Sequence, residues 1–346
     1  MPPRRRRGEA PPSPWRHLRV VLVLLLGGVS GFFLWAWAPD LPADYLIGRY
    51  GQPPSTFVDV GGTRVHLRDE GKPDAMPLLL IHGSLGSLQQ WDGWARELGD
   101  RYRLIEVDLP GHGLTGAWAR GDYSVEAYAD FIEVLADTLR LERFAVAGHS
   151  LGGAVAWTFA ATRPERVSHL ILVDASAYPR DGEAPLGTRI ARAPVIGELA
   201  IHFKPDWMVR RALREMYSDP AMLTPERVRR FGELQRFPGN RRATLQRLRQ
   251  QEPLDPTPLK RLDVPTLIIW GAKDRWLPVA DAFRLQGDIK GSRLAVFEKP
   301  GHNPMEEDPK ATAAAVASFL PTEPPQPPAP PATTDQVAPA VVPEKD

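Results

Sequence analysis

Three kinds of apolar pattern alternate along this chain. One is a single unbroken run, residues 20–38, with no charge in nineteen positions. The second is a series of short apolar blocks bounded by turn residues, at 77–81, 102–107, 144–147, 169–173, 265–270 and 293–297. The blocks at 77–81, 144–147 and 169–173 fit strands buried on both faces of a sheet, and the others fit further strands. The third is a helical period, clearest at Val125, Tyr128, Ile132, Leu135 and Leu139, with Ser124 placed to cap it. Strand and helix patterns alternate through 77–176, which predicts a parallel sheet with helices on both faces. Ahead of it, residues 56–60 and 63–68 flank Gly61-Gly62 at the spacing of a hairpin.

The alternation then breaks. Residues 177–258 hold no buried-strand block, are interrupted by prolines, and read as helical pieces, for example 207–217 and 225–237. This segment predicts a helical insertion on top of the sheet. The core is therefore expected over 55–176 and 259–320, with a cap over 177–258. From 189 to 261 there are sixteen Lys/Arg against eight Asp/Glu, a surplus that can face anionic lipid headgroups or simply water. Residues 321–346 are mostly Pro, Ala, Val, Thr and charge without periodicity, the composition of a disordered tail.

Residues 20–38 match the thickness of a bilayer core at 1.5 Å per residue. Arg4 to Arg7, Arg16 and Arg19 all precede the run, Asp40 and Asp44 follow it, and Trp35 and Trp37 sit at its far end. The positive-inside rule places residues 1–19 in the cytoplasm and the rest outside, periplasmic or extracellular in a bacterium. Ala36-Trp37-Ala38 also resembles a signal-peptide cleavage site, which would make the protein secreted. Pro39 would then follow the cut without a backbone N–H, which favours an uncleaved anchor. Residues 39–54 read as a Pro/Gly-containing linker that lifts the domain off the membrane.

Composition narrows the chemistry. A net charge of +1 argues against a nucleic-acid binder, and the absence of cysteine excludes a thiolate nucleophile and Cys-ligated metal. The eight histidines show no metal-ligand spacing, so neither a metal nor a cofactor is expected. Against that background Gly148-His149-Ser150-Leu151-Gly152 stands out. It is G-x-S-x-G, a serine on a sharp turn between a strand and a helix. Alone it would arise by chance in roughly one chain of this length in ten; the apolar strand before it and the small-residue helix after it make it specific. Asp274 and His302 follow the last two strand blocks, so Ser, Asp and His come in the order expected for such a sheet.

Together with His82-Gly83, Asp108-Leu-Pro-Gly-His-Gly113, Trp270-Gly-Ala-Lys-Asp274 and Pro300-Gly-His302, the chain resembles the α/β-hydrolase superfamily over residues 55–320. The resemblance is to capped serine hydrolases, which include esterases, meta-cleavage-product hydrolases and cofactor-free haloperoxidases. It implies an α/β fold with a mostly parallel, eight-stranded sheet and a helical cap. It also implies a triad of Ser150 as nucleophile, His302 as base and Asp274 as the acid that orients it, with Leu151 and Ser84 N–H as the oxyanion hole and Leu85 as a rival donor. Asp174, also at a strand end, is the rival acid. A serine rather than an aspartate at the apex argues against epoxide-hydrolase or haloalkane-dehalogenase chemistry.

The expected activity is hydrolysis of a small or lipid-like carboxylic ester. The alternatives are C–C bond hydrolysis with the same triad and a non-catalytic binding module on the same fold. Trp207, Met208, Leu213, Met216 and Tyr217 can line an acyl site or form the cap's own core.

Overall fold

Each apolar block became a strand. In the computed structural model, which describes residues 14–179, 182, 186–203 and 206–324, they are β1 (Ser55–Val60), β2 (Thr63–Gly71), β3 (Pro77–Ile81), β4 (Arg103–Val107), β5 (Phe144–His149), β6 (Val167–Val173), β7 (Thr266–Gly271) and β8 (Arg293–Phe297). They form one eight-stranded sheet in the order β1-β2-β4-β3-β5-β6-β7-β8. β1 pairs antiparallel with β2, and β2 with β4. Every other pairing is parallel.

The helices ahead of the cap are α1 (Pro14–Ala36), α2 (Ala43–Tyr50), α3 (Asp92–Leu98), α4 (Val125–Thr138) and α5 (Leu151–Thr162). Those of the cap are α6 (Leu186–Arg192), α7 (Pro194–Ala200), α8 (Asp206–Met216), α9 (Pro225–Leu234) and α10 (Asn240–Gln250). After it come α11 (Ala280–Asp288), α12 (Pro304–Glu307) and α13 (Pro309–Phe319). Ser124 caps α4 as its spacing predicts, accepting from Ala127 N–H at 3.2 Å.

The sheet divides two cores. Along β3, Leu79 and Ile81 face one way, into a cluster with Tyr128, Ile132 and Leu135 of α4 and Val155 and Phe159 of α5. Leu78 and Leu80 face the other way, toward Trp94 of α3 and Val316 of α13. Successive side chains of one strand point to opposite faces. A strand apolar at every position therefore needs both faces covered, and all four of these residues are fully buried.

The cap spans the interval between β6 and β7 and has its own core of Val209, Leu213, Met216, Tyr217, Leu223 and Val228. Leu213, Met216 and Tyr217 thus serve the cap's packing, while Trp207 and Met208 are exposed. Most of the described basic residues from 189 to 261 are exposed, as a solvated surface would be, but a few are turned inward. Arg241 and Arg247 are buried, and Arg227 and Arg230 pair with Glu306, Arg230 also with Asp92.

Residues 39–54 are not the loose linker their Pro/Gly content suggests. They contain α2, whose Leu46 is fully buried against Leu114, Leu234 and Phe237. The two residues before them are also held. Trp37 bridges to Phe203 and stacks on His202 at 4.8 Å, and Ala38 N–H donates to the His202 carbonyl at 2.8 Å. Arg241 then clasps the segment. It pairs with Asp40 at 2.5 Å and donates to the carbonyls of Ala38 and Ile201. Proline and glycine counts miss this because the anchoring is carried by one leucine and one distant arginine.

Among the described residues α1 alone is long and apolar enough to cross a membrane; of the described residues in its Leu18–Ala36 stretch only Ala36, at the far end, is buried. Residues 4–7 and 325–346, expected as a basic flank and a disordered tail, lie outside the described residues. The docking of α2 makes a measurable difference. Leu46→Ala is expected to lower the unfolding free energy by about 3 kcal/mol in denaturant titration, whereas a change under about 0.5 kcal/mol would restore the linker reading.

Candidate active site

β5 delivers Ser150 to the C-terminal edge of the sheet, between β3 and β6. Ser150 has φ +51°, a left-handed backbone that a non-glycine residue adopts only when its surroundings enforce it. Here they do. Ser150 N–H donates to Val173 C=O at 3.1 Å, and its own C=O accepts from Ala154 and Ser176. The flanking glycines allow the backbones to close on one another. A Cβ on Gly148 would lie 2.1 Å from the Gly152 carbonyl oxygen, and one on Gly152 would lie 2.3 Å from that of Ile81.

The loops after β7 and β8 complete the constellation. The Ser150 hydroxyl lies 3.1 Å from His302 Nε2, and His302 Nδ1 lies 2.7 Å from Asp274 Oδ2. With Nδ1–H donating to Asp274, Nε2 is left to accept the serine proton. Asp274 Oδ1 also accepts from Trp276 and Leu277 N–H. Burial alone would push the Asp274 carboxyl up. The hydrogen bond and charge of His302, with the Leu277 N–H, outweigh it and hold the carboxyl below its usual range, so Asp274 is a carboxylate at neutral pH. Trp276 stacks on the His302 ring at 5.8 Å.

Asp174 sits beside this pair rather than replacing Asp274. Its Oδ1 accepts from Gly271 N–H at 3.1 Å. Burial first, then the charge of Asp274, raises its pKa well above the ordinary value. Burial beside the Asp274 carboxylate thus favours the protonated form of Asp174. Asp174, Asp274 and His302 lie within metal-binding distance of one another, and within that group His302 Nδ1 and Asp274 Oδ2 are hydrogen-bonded to each other.

His149 adds a support that its place inside a turn motif hides. Its Nε2–H donates to the His302 carbonyl at 2.6 Å. Burial, followed by the nearby His302 charge, drives its pKa well below the usual value, so it stays neutral.

Leu151 N–H opens α5, where first-turn donors have no intrahelical acceptor. The loop after β3 is folded over the serine: a Cβ on Gly83 would lie 3.2 Å from Ser150 Cβ. Gln90 holds the loop by accepting from Gly83 N–H at 2.9 Å and donating to Asn303 Oδ1 at 3.2 Å. Ser84 itself accepts from Arg247 of the cap at 2.5 Å. Neither Gln90 nor Arg247 stands out in the sequence, since no local motif contains them.

The Asp108 turn is structural. Its buried carboxylate accepts from Leu88 and Leu114 N–H and meets His66 at 2.6 Å. Although burial opposes ionisation, the His66 contact and the other donors lower its pKa to about 2.

The cap closes over the triad. Ser150 is only 9% exposed. The cap is fastened at its α8 end, where His302 N–H donates to Met216 C=O at 2.9 Å and Glu307 accepts from Ser218 and Gly301 N–H. A cavity of about 30 Å³, lined by Leu85, Gly86, Met216, Tyr217 and Glu306 among others, lies behind the loop. That is room for one water and not for a substrate. A larger cavity of about 250 Å³, between β1 and α4, holds none of the triad residues.

Comparison with known proteins agrees with this architecture. The family model of the alpha/beta hydrolase fold matches residues 76–309. An uncharacterized protein of Mycobacterium tuberculosis is 32% identical over 296 residues, covering 78% of this chain and 82% of its own. The 2-hydroxy-6-oxo-2,4-heptadienoate hydrolase of Pseudomonas putida is 29% identical, over 77% of this chain and 96% of that protein. Among solved structures, a membrane phospholipase A that is a bacterial virulence factor superposes with a TM-score of 0.66 at 26% identity, covering 88% of this chain and 98% of its own. With a family match over more than half its length and the fold that the match requires, the chain belongs to the α/β-hydrolase fold family.

Proposed function

We propose that this hydrolase cleaves carboxylic esters through an acyl-Ser150 intermediate. The observation that carries the reading is the Ser150–His302–Asp274 hydrogen-bond chain at a strained elbow. His302 Nε2 takes the Ser150 proton as Oγ attacks the ester carbonyl carbon, and the carbonyl π pair moves onto oxygen. Leu151 N–H and Ser84 N–H stabilise that oxyanion. Collapse of the tetrahedral intermediate expels the alcohol, which takes the proton from His302. Water then repeats the sequence on the acyl-enzyme and releases the acid. Asp274 keeps the imidazole tautomer and stabilises its cationic form.

The lipophilic side of the reading rests on α1 as an uncleaved anchor, with the N-terminus cytoplasmic and the catalytic unit outside. Its support is the charge asymmetry around α1, the exposed Val195, Ile196 and Leu199 on α7, and the likeness to a membrane phospholipase A. The likeness to the dienoate hydrolase favours a second reading, in which the same nucleophile opens a C–C bond of a dienoic keto acid.

Ser150→Ala is expected to lose roughly 10³-fold or more in kcat on 4-nitrophenyl esters with an unchanged melting curve. Fluorophosphonate labelling, located by mass spectrometry, should disappear with it. Turnover of a meta-cleavage dienoate in place of every ester would select the second reading.

The two acids are expected to part company. Asp274→Asn should lower kcat by roughly 10³- to 10⁴-fold through the wrong imidazole tautomer. Asp174→Asn should act mainly on stability. A carboxyl whose folded pKa is raised contributes fully below its unfolded pKa, about 3.9, and loses that contribution as pH rises toward the folded value. The asparagine protein lacks this loss, so its stability relative to wild type should improve steadily from pH 4 to pH 8 in denaturant titrations. A difference that stays constant over that range would contradict the protonated state of Asp174.

For the anchor, the full-length mass should persist in carbonate-washed membranes. A chain shortened to begin after Ala38 would mean a cleaved signal.

A further inference from the structure

Arg247 stands apart from every other cation near the site. It projects from α10 of the cap, is 8% exposed, and its Nη2 donates to Ser84 Oγ at 2.5 Å. Its Nε is buried without a hydrogen-bond partner. Among the described residues no carboxylate lies within ion-pair distance of it, in contrast to Arg227, Arg230, Arg241 and Arg249 on the same two cap helices.

The groups that do surround it are neutral. Burial raises the Tyr128 phenol far above its ordinary value, and its hydroxyl already donates to Pro110 C=O at 2.9 Å. His112 is driven well below its ordinary value by burial, then by His82 and Arg247. A charge held out of water with no counter-charge costs several kcal/mol. A neutral side chain of the same length would hold the serine loop without that cost. The guanidinium fork matches the paired oxygens of a carboxylate or phosphate. It reaches Ser84, whose neighbour Gly83 abuts Ser150.

We propose that Arg247 binds an anionic oxygen group of the substrate, so that the site accepts esters carrying a carboxylate or phosphate within a few bonds of the scissile carbonyl. This rests on the reading of Ser150 as nucleophile and specifies the substrate class. When the ligand docks, its anion supplies the charge that the protein does not.

Binding is measured calorimetrically in the full-length Ser150→Ala protein, where turnover plays no part. Two ester pairs differ in one charge. Monoethyl adipate against ethyl hexanoate places the anion on the acyl side. 1-Oleoylglycerol 3-phosphate against 1-oleoylglycerol places it on the alcohol side.

The anionic member of one pair is expected to bind roughly tenfold or more tighter. The pair that responds identifies the side. Adding Arg247→Met should bring that preference within about threefold. If this variant does not fold, Arg247→Gln keeps a donor for Ser84 without the charge, and the same collapse is expected. Equal binding within both pairs, or a preference that survives loss of the guanidinium, overturns the proposal. Failure of the nucleophile reading would show separately, as turnover and labelling that persist in Ser150→Ala.

Discussion

Everything at this site depends on a backbone approach that side chains would forbid. The strand carrying Ser150 turns directly into α5 while packed against the end of β3, and the Gly148 and Gly152 positions have room for hydrogen only. A non-glycine residue at φ +51° costs of order 1–3 kcal/mol. Burial of β5 on both faces, the hydrogen bond to Val173 C=O and those from Ala154 and Ser176 N–H hold it there. That strain aims the hydroxyl at His302 and presents Leu151 N–H at the head of a helix. The triad is thus a property of the sheet's edge and not of any one loop.

Charge around the triad is rationed. His149 and Asp174 are both buried, both polar and both neutral, for opposite reasons: burial strips a proton from the imidazole and retains one on the carboxyl. Asp274 is left as the anion facing His302. A cation forming on the imidazole therefore meets a single carboxylate, itself fixed by backbone donors.

The fold was legible because its signals are local. A five-residue apolar block such as 77–81 declares a doubly covered strand wherever it falls, and the elbow sits within five consecutive residues. The serine, acid and histidine could be named because each follows such a block. What could not be read depends on pairs far apart in the chain. Arg247 meets Ser84 across 163 positions and Arg241 meets Asp40 across 201. No pattern of hydrophobicity marks those two arginines among the sixteen basic residues from 189 to 261, so that surplus read as surface. The docking of α2 was hidden for the same reason, since Leu46 finds its partners in the β4–α4 loop and the cap. The raised pKa of Asp174 is also beyond sequence, because it arises only when two strand ends bring their acids together in a buried place.

One short helix of the cap holds two ends of the molecule at once. Arg241, near the start of α10, grips the chain where it leaves α1, and Arg247, six residues on, reaches the serine loop. At 1.5 Å per residue these grips are about 9 Å apart along a stiff rod. The cap cannot lift at that helix without either opening the Arg241 clasp or dragging the N-terminal helix along. Tension on the N-terminal segment and the position of the loop beside Ser150 are thus mechanically linked, with α10 as the lever between them.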